Sequence, residues 1–275
     1  MTKIHPTAIV SPDAEIDEDV ELGPYAVVGD HVVIGKGTRV GAHVVLEGHT
    51  VVGQRCHFFT GAVVGSIPQD LKYKGEVSHL RIGNDNIIRE YVTINPVTQG
   101  GGGQTVIGDE NLVMAYAHIA HDCIIANKTI LANAATLAGH VVVEDRVIVG
   151  GLVAVHQFVR IGQLAIIGGC SKVVQDVPPY SICDGHPAQF RGVNLVGLER
   201  AGTPTDTIDS LKQVYRIFYR MGLSKDHALE KIIKEAEAIS ETQEVIRFIQ
   251  FSTRGICRGY RRKESEVIDS VLQPD

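Results

Sequence analysis

Residues 115–127 read AYAHIAHDCIIAN, a run of small and aliphatic residues that also carries two imidazoles and a carboxylate, His118, His121 and Asp122. Histidine changes charge closest to neutral pH, so a ring with a carboxylate beside it can take a proton from a hydroxyl. With His140 and His156 there are also enough imidazoles for a three-histidine zinc site. The plain alternative is a solvated strand with its polar residues turned outward. Strict strand alternation would send residues 121 and 122 to opposite faces, so a His121–Asp122 pair requires a bend between them.

The elements around the stretch announce themselves by a period of six. From Ile4 an apolar residue recurs at Val10, Ile16, Leu22 and onward to Phe58 and Val64. The register returns at Ile82, Ile88 and Ile94, and after a second interruption it runs unbroken from Ile107 to Val173. The next position is often small, as at Gly23, Gly53, Gly108 and Ala120. Neither a helix nor a simple hairpin has this period. It fits a solenoid whose coil has short flat faces, each giving one large side chain to a central stack, with the small residue allowing the corner.

After Arg191 the pattern stops. TPTDTIDSLKQVYRIFYRMG places Ile208, Leu211, Val214 and Phe218 at helical spacing. SKDHALEKIIKEAEAIS predicts a second helix capped by Ser224, and TQEVIRFIQFSTRG a third that ends near Gly255. The expected organisation is therefore a mainly β solenoid over residues 1–190 and a small α-helical C-terminal domain with a charged tail over 191–275.

Charge and cysteines narrow the function classes. The net charge is −6; residues 1–190 hold 12 Lys+Arg against 19 Asp+Glu, and residues 191–275 hold 14 against 13. That balance argues against a nucleic-acid binder. The five cysteines are scattered with no C-x-x-C pair, which points to a reducing, cytoplasmic setting and away from a thiolate zinc site. No apolar run reaches membrane-spanning length.

The repeat resembles the hexapeptide left-handed parallel β-helix of acyltransferases, with three hexads per coil; about 26 hexads then give roughly nine coils. The left hand comes with the resemblance, since general crossover rules favour the right. QDLKYKGE (69–76), REYVTI (89–94), AHIAHDC (117–123), LANAATLAGHV (131–141), AVHQF (154–158), GGCSKVVQDVPPY (168–180) and STRG (252–255) occur in this order. Together they resemble the UDP-N-acetylglucosamine O-acyltransferases, which open lipid A biosynthesis, from about residue 4 to Arg258.

That resemblance implies transfer of a (3-hydroxy)acyl group from the phosphopantetheine thioester of acyl carrier protein to the sugar 3-hydroxyl. It implies His121 as general base, Asp122 as the group that orients its ring, and the Gly139 N–H as oxyanion donor. Gly139 lies 18 residues after His121, one coil on. Asp70, Lys72, His118, His140, His156, Gln157, Asn194 and Arg200 are implied to bind the nucleotide sugar, and Gly169 to set acyl length. Arg216, Arg220, Arg254 and Arg258, with Arg261, Arg262 and Lys263, would dock the acidic carrier. The resemblance further implies a homotrimer with the site between solenoids, and neither metal nor cofactor.

The chain departs from the family at three places. Asn95-Pro96-Val97-Thr98 stands where His-Arg-Gly-Thr is common, Ala201 where an arginine is frequent, and residues after 258 extend beyond shorter members. The rival readings are a γ-class carbonic anhydrase holding zinc on these histidines and a scaffold solenoid without turnover. A carbonic anhydrase has no need of the helical segment, QDLKY or Gly139.

Overall fold

The computed structural model describes residues 1–98 and 104–260. Twenty-six short strands, β1 (Lys3–Ile4) to β26 (Lys172–Val173), mostly of two residues, fall into three parallel sheets. Consecutive strands go to different sheets, so every third strand pairs, as Lys3↔Glu21 and Ile4↔Leu22 do. One uninterrupted coil is thus three hexads. The last residue of each of these strands is the hexad residue: from Leu22 to Val173 every one is buried, while Ile4, Val10 and Ile16 at the open first coil are not.

The corner chemistry differs from the expectation. The left-handed residue stands three places after the hexad residue, not one, and it is usually not glycine: Tyr25, Lys128 and Leu152 have φ of 58°, 57° and 58°. Such a conformation costs about 1–2 kcal/mol for an L-residue, offset here by the pairing that each coil makes with the next. The small residue just after the hexad position answers to a different need. A Cβ on Gly53 would lie 2.5 Å from the Gly83 carbonyl oxygen of the next coil.

Both interruptions leave the solenoid at one corner. The first follows β11 (Val63–Val64) and returns at β12 (His79–Ile82); the second follows β14 (Thr93–Ile94) and returns at β15 (Thr105–Ile107). β11, β14, β17 (His118–Ile119) and β20 (Thr136–Leu137) are consecutive neighbours in one sheet. The two excursions therefore emerge directly beside the coil that carries His121. Gln99 and the four consecutive glycines that follow it, Gly100 to Gly103, lie outside the described residues, as do Arg261, Arg262 and Lys263.

At the far end β27 (Ser181–Gly185) continues one sheet and turns back as antiparallel β28 (Ala188–Val193), so the expected division after residue 190 falls inside β28. A short helix that the sequence did not suggest, α1 (Leu195–Arg200), precedes α2 (Thr205–Arg220), α3 (Lys225–Glu235) and α4 (Ser240–Gln250). Ile208, Leu211 and Val214 are buried on α2. The Ser224 hydroxyl caps α3 by accepting from His227 N–H. α4 ends before Gly255 because the segment after it runs back along the solenoid: Asp176 N–H donates to the Gly255 carbonyl and Cys257 N–H to the Asp176 carbonyl, both at 2.9 Å.

Candidate active site

The bend required between His121 and Asp122 is present: Asp122 occupies the left-handed corner, with φ of 60°. The corner turns its carboxylate back under the preceding ring. His121 Nδ1 donates to Asp122 Oδ2 at 2.7 Å, and the Asp122 side chain is only 2% exposed. With Nδ1 committed as donor to a carboxylate, Nε2 is the nitrogen left to accept a proton. Asp70, on the first excursion, brings Oδ2 to 3.8 Å from that Nε2. Asp70 is itself held in a turn, its carboxylate accepting from Lys72 N–H at 2.9 Å.

One coil on, Gly139 makes room for the ring. A Cβ there would lie 2.5 Å from His121 Cε1 and 2.7 Å from Nε2. The glycine is thus explained by the approach of His121, not by a turn, since its φ is not positive. Its N–H has no hydrogen-bond partner among the described residues. His140 follows at the next corner, with Nε2 3.9 Å from Asp122 Oδ2 and its ring edge-on to His121 at 5.2 Å. His118 lies half-buried beside them, sharing a 2.7 Å hydrogen bond with Thr93 Oγ1. Burial lowers the pKa of both His118 and His140, His140 in spite of the Asp122 charge, and so favours their neutral forms. A cavity of about 650 Å³ opens beside the group, lined by Asp70, Lys72, Lys74, Glu76, Thr98 and His140.

Comparison with known proteins decides between the readings that this geometry leaves open. Residues 176–257 match the family model described as UDP-N-acetylglucosamine O-acyltransferase, domain 2, and residues 104–139 match the bacterial transferase hexapeptide. The acyl-[acyl-carrier-protein]–UDP-N-acetylglucosamine O-acyltransferase of Thermodesulfovibrio yellowstonii is 53% identical over 94% of this chain and 100% of its own. The chain belongs to the UDP-N-acetylglucosamine O-acyltransferase family. It is an acyltransferase. The same-named protein of Myxococcus xanthus is 48% identical over 94% of this chain and 100% of its own. Among solved structures, the UDP-N-acetylglucosamine acyltransferase of Francisella novicida superposes with a TM-score of 0.91 at 36% identity, covering 99% of this chain and 100% of its own. That of Bacteroides fragilis gives 0.91 at 40% identity, covering 93% and 100%.

For this acyltransferase, then, the carbonic anhydrase reading falls away. Ligand atoms of His121, Asp122 and His140 do come within 4.8 Å of one another. Yet Asp122 Oδ2 already accepts from His121 Nδ1, from Thr98 N–H at 3.2 Å and from Thr98 Oγ1–H at 2.8 Å. Thr98 was noted in the sequence only as part of Asn95-Pro96-Val97-Thr98, and Thr105, whose Oγ1 accepts from Asp122 N–H at 2.8 Å, went unnoticed. So did Phe158, whose ring stacks on His140 at 4.4 Å. The 18-residue coil could have found Phe158, since 122, 140 and 158 share one column.

The remaining expected residues lie elsewhere. Gln157 stands in the column of His121 and Gly139, two coils along, roughly 10 Å away, and it and His156 are exposed. Asn194 is buried and holds α1: its Oδ1 accepts from Gly197 N–H at 3.0 Å and its Nδ2 donates to the Leu164 carbonyl at 2.8 Å. Arg200 is exposed at the end of the same helix. Leu164 follows β24 (Arg160–Ile161), in a different sheet from β17, so Asn194 and His121 belong to different corners of the chain. Arg216 and Arg220 are exposed one turn apart on α2, and Arg258 is exposed near them. Arg220 and Arg258 line a cavity of about 640 Å³ with Lys225. Arg254 is committed differently: its guanidinium donates to the Val174 carbonyl at 3.2 and 3.0 Å.

Proposed function

We propose that the chain transfers a (3-hydroxy)acyl group from acyl carrier protein to the 3-hydroxyl of UDP-N-acetylglucosamine, the first step of lipid A biosynthesis, in the cytoplasm. The relatives' names supply the substrates, and no helix among the described residues is long and apolar enough to cross a membrane. The observation that carries the chemistry is the buried Asp122–His121 pair with Nε2 left free to act. His121 Nε2 takes the proton of the sugar hydroxyl as its oxygen attacks the thioester carbonyl. The carbonyl oxygen becomes an oxyanion, and the unused Gly139 N–H beside the ring is its donor. As the C=O double bond is restored the C–S bond breaks, the new ester bond to the sugar oxygen remains, and the thiolate leaves with the proton that His121 had accepted.

Lys72 and Lys74 line the adjoining cavity and suit the diphosphate, with Asp70 and His140 on the same cavity for the sugar; His118 and His156 are assigned to the sugar by the family resemblance. Asn194 and Arg200 sit too far round the solenoid to join them within one chain, whereas Gln157 lies on the same corner as His121, two coils along. A homotrimer with the site between neighbouring solenoids reconciles their implied roles with that separation. Gly169 is proposed to end the acyl groove: it is exposed, and a Cβ there would meet only Gly151, at 3.3 Å from its carbonyl oxygen. Packing and backbone strain give little reason for glycine at that place.

His121→Ala is expected to lower kcat by about 10²–10⁴-fold, the range for a lost general base, with the fold intact. Product formation from acyl carrier protein and UDP-N-acetylglucosamine, followed by mass spectrometry, measures it. Near-normal turnover in a folded variant would remove His121 from the mechanism.

A further inference from the structure

We infer that Thr98 is a positioning residue that acts through Asp122; the inference rests on the His121 reading above and extends it to the second excursion. Thr98 lies in the segment where this chain departs from the common family pattern. That segment is firmly placed: Asn95 N–H donates to the Ile119 carbonyl at 3.0 Å, and Val97 N–H to the His79 carbonyl at 3.2 Å. From it Thr98, itself 5% exposed, gives Asp122 Oδ2 two donors, its N–H at 3.2 Å and its hydroxyl at 2.8 Å. Thr105, where the excursion returns, takes the Asp122 N–H at 2.8 Å. The two ends of the excursion therefore grip one residue from both sides.

The distribution over the carboxylate is uneven. Oδ2 accepts from His121 and twice from Thr98, whereas the buried Oδ1 has no partner among the described residues. A carboxylate without fixed donors can rotate and present either oxygen. Concentrating the donors on Oδ2 fixes its torsion, and with it the direction of the His121 ring and the side on which Nε2 remains bare. Donors to the anion also compensate for its burial. Of the other charged or titratable groups around the pair, Asp70 and Lys72 from the first excursion and His118 and His140 from the solenoid, His140 comes within 3.9 Å of that oxygen, outside hydrogen-bond distance.

The test compares Thr98→Val, which keeps the shape and the N–H but loses the hydroxyl, with Thr98→Ser, which keeps the hydroxyl. Thr98→Val should lower kcat about ten-fold or more, the effect of one lost hydrogen bond to a charged group, with the sugar-nucleotide KM within about two-fold. Thr98→Ser should recover most of the rate. In an Asp122→Asn background Thr98→Val should cost less than about two-fold further, because the two act as a unit. Independent, multiplying losses in that cycle, or equal losses in Val and Ser, would overturn the inference. Nitrogen-15 spectra of the His121 ring in the free protein provide a second readout that needs no turnover. Wild type should show a single tautomer with the hydrogen on Nδ1, and Thr98→Val a mixture; an unchanged ring overturns the inference as well. If wild type forms no O-acyl product, the acyltransfer reading fails by itself, and the ring spectra still judge Thr98. Should the valine variant not fold, Thr98→Ala takes its place.

Discussion

At the scale of single residues, the site is economical about space. Gly139 has no unusual backbone angle to serve, and its missing Cβ is what lets the His121 ring lie against the next coil. Gly139→Ala puts a methyl group 2.5 Å from Cε1, a distance that packed atoms do not share, so the ring must move. The variant keeps its N–H and its coil, yet is expected to lose on the order of 10²-fold or more in kcat, because the base is displaced. The discriminating measurement is the same change made in His121→Ala. There the ring is gone, the alanine has room, and little further loss should appear. A second large loss in that background would mean that Gly139 acts by some route other than admitting the ring.

At the scale of elements, the two excursions are what turn a regular solenoid into a site. The first brings Asp70 to His121, and its stem is held by Asn95, whose Nδ2 donates to the Ser66 and Ile67 carbonyls at 3.1 and 3.3 Å. Asn95→Ala removes both donations to the Ser66 and Ile67 carbonyls, each worth about 0.5–1.5 kcal/mol of local stability. It is expected to raise the sugar-nucleotide KM several-fold and to speed proteolytic cutting within residues 69–76, while the melting of the solenoid changes little. Both kinetics and limited proteolysis read this out, and unchanged cutting would show that the stem is held by something else. This is also where sequence reading reached its limit. The hexads were legible because a single period sets which residue enters the stack, and the His121–Gly139 column follows from the same arithmetic. Thr98 and Asn95 sit on excursions, whose paths no period dictates. α1 is a single short turn capped by Asn194, too brief to leave a periodic trace. The left-handed corner position was missed because the stacking of coils, not the residue type, imposes it, and Tyr25 and Lys128 accept it alike.

At the scale of the whole molecule, charge is divided along the axis. The first 190 residues sum to −7, from 12 Lys+Arg and 19 Asp+Glu, and the rest to +1, from 14 and 13. An acidic carrier protein approaching this chain is thus repelled by most of its length and tolerated at one end. Within that end the arginines are unequal. Arg216, Arg220 and Arg258 are exposed, and Arg220 and Arg258 line one cavity with Lys225, whereas Arg254 spends its donors on Val174 and pins the returning segment to the solenoid. Exposed charges of this kind act over about 8–10 Å at ordinary ionic strength and speed association more than they deepen binding. If they dock the carrier, kcat/KM measured with acyl carrier protein should fall with added salt, while kcat/KM with a small acyl thioester stays nearly flat. Arg220→Ala and Arg258→Ala should each flatten the carrier curve and lower kcat/KM several-fold at low salt, because each removes part of the attraction that salt would screen. Arg254→Ala should behave differently, lowering thermal stability first, since it leaves the Val174 carbonyl, just after β26, without its donor. Parallel salt curves for the two donors would place the carrier on some other face of the molecule.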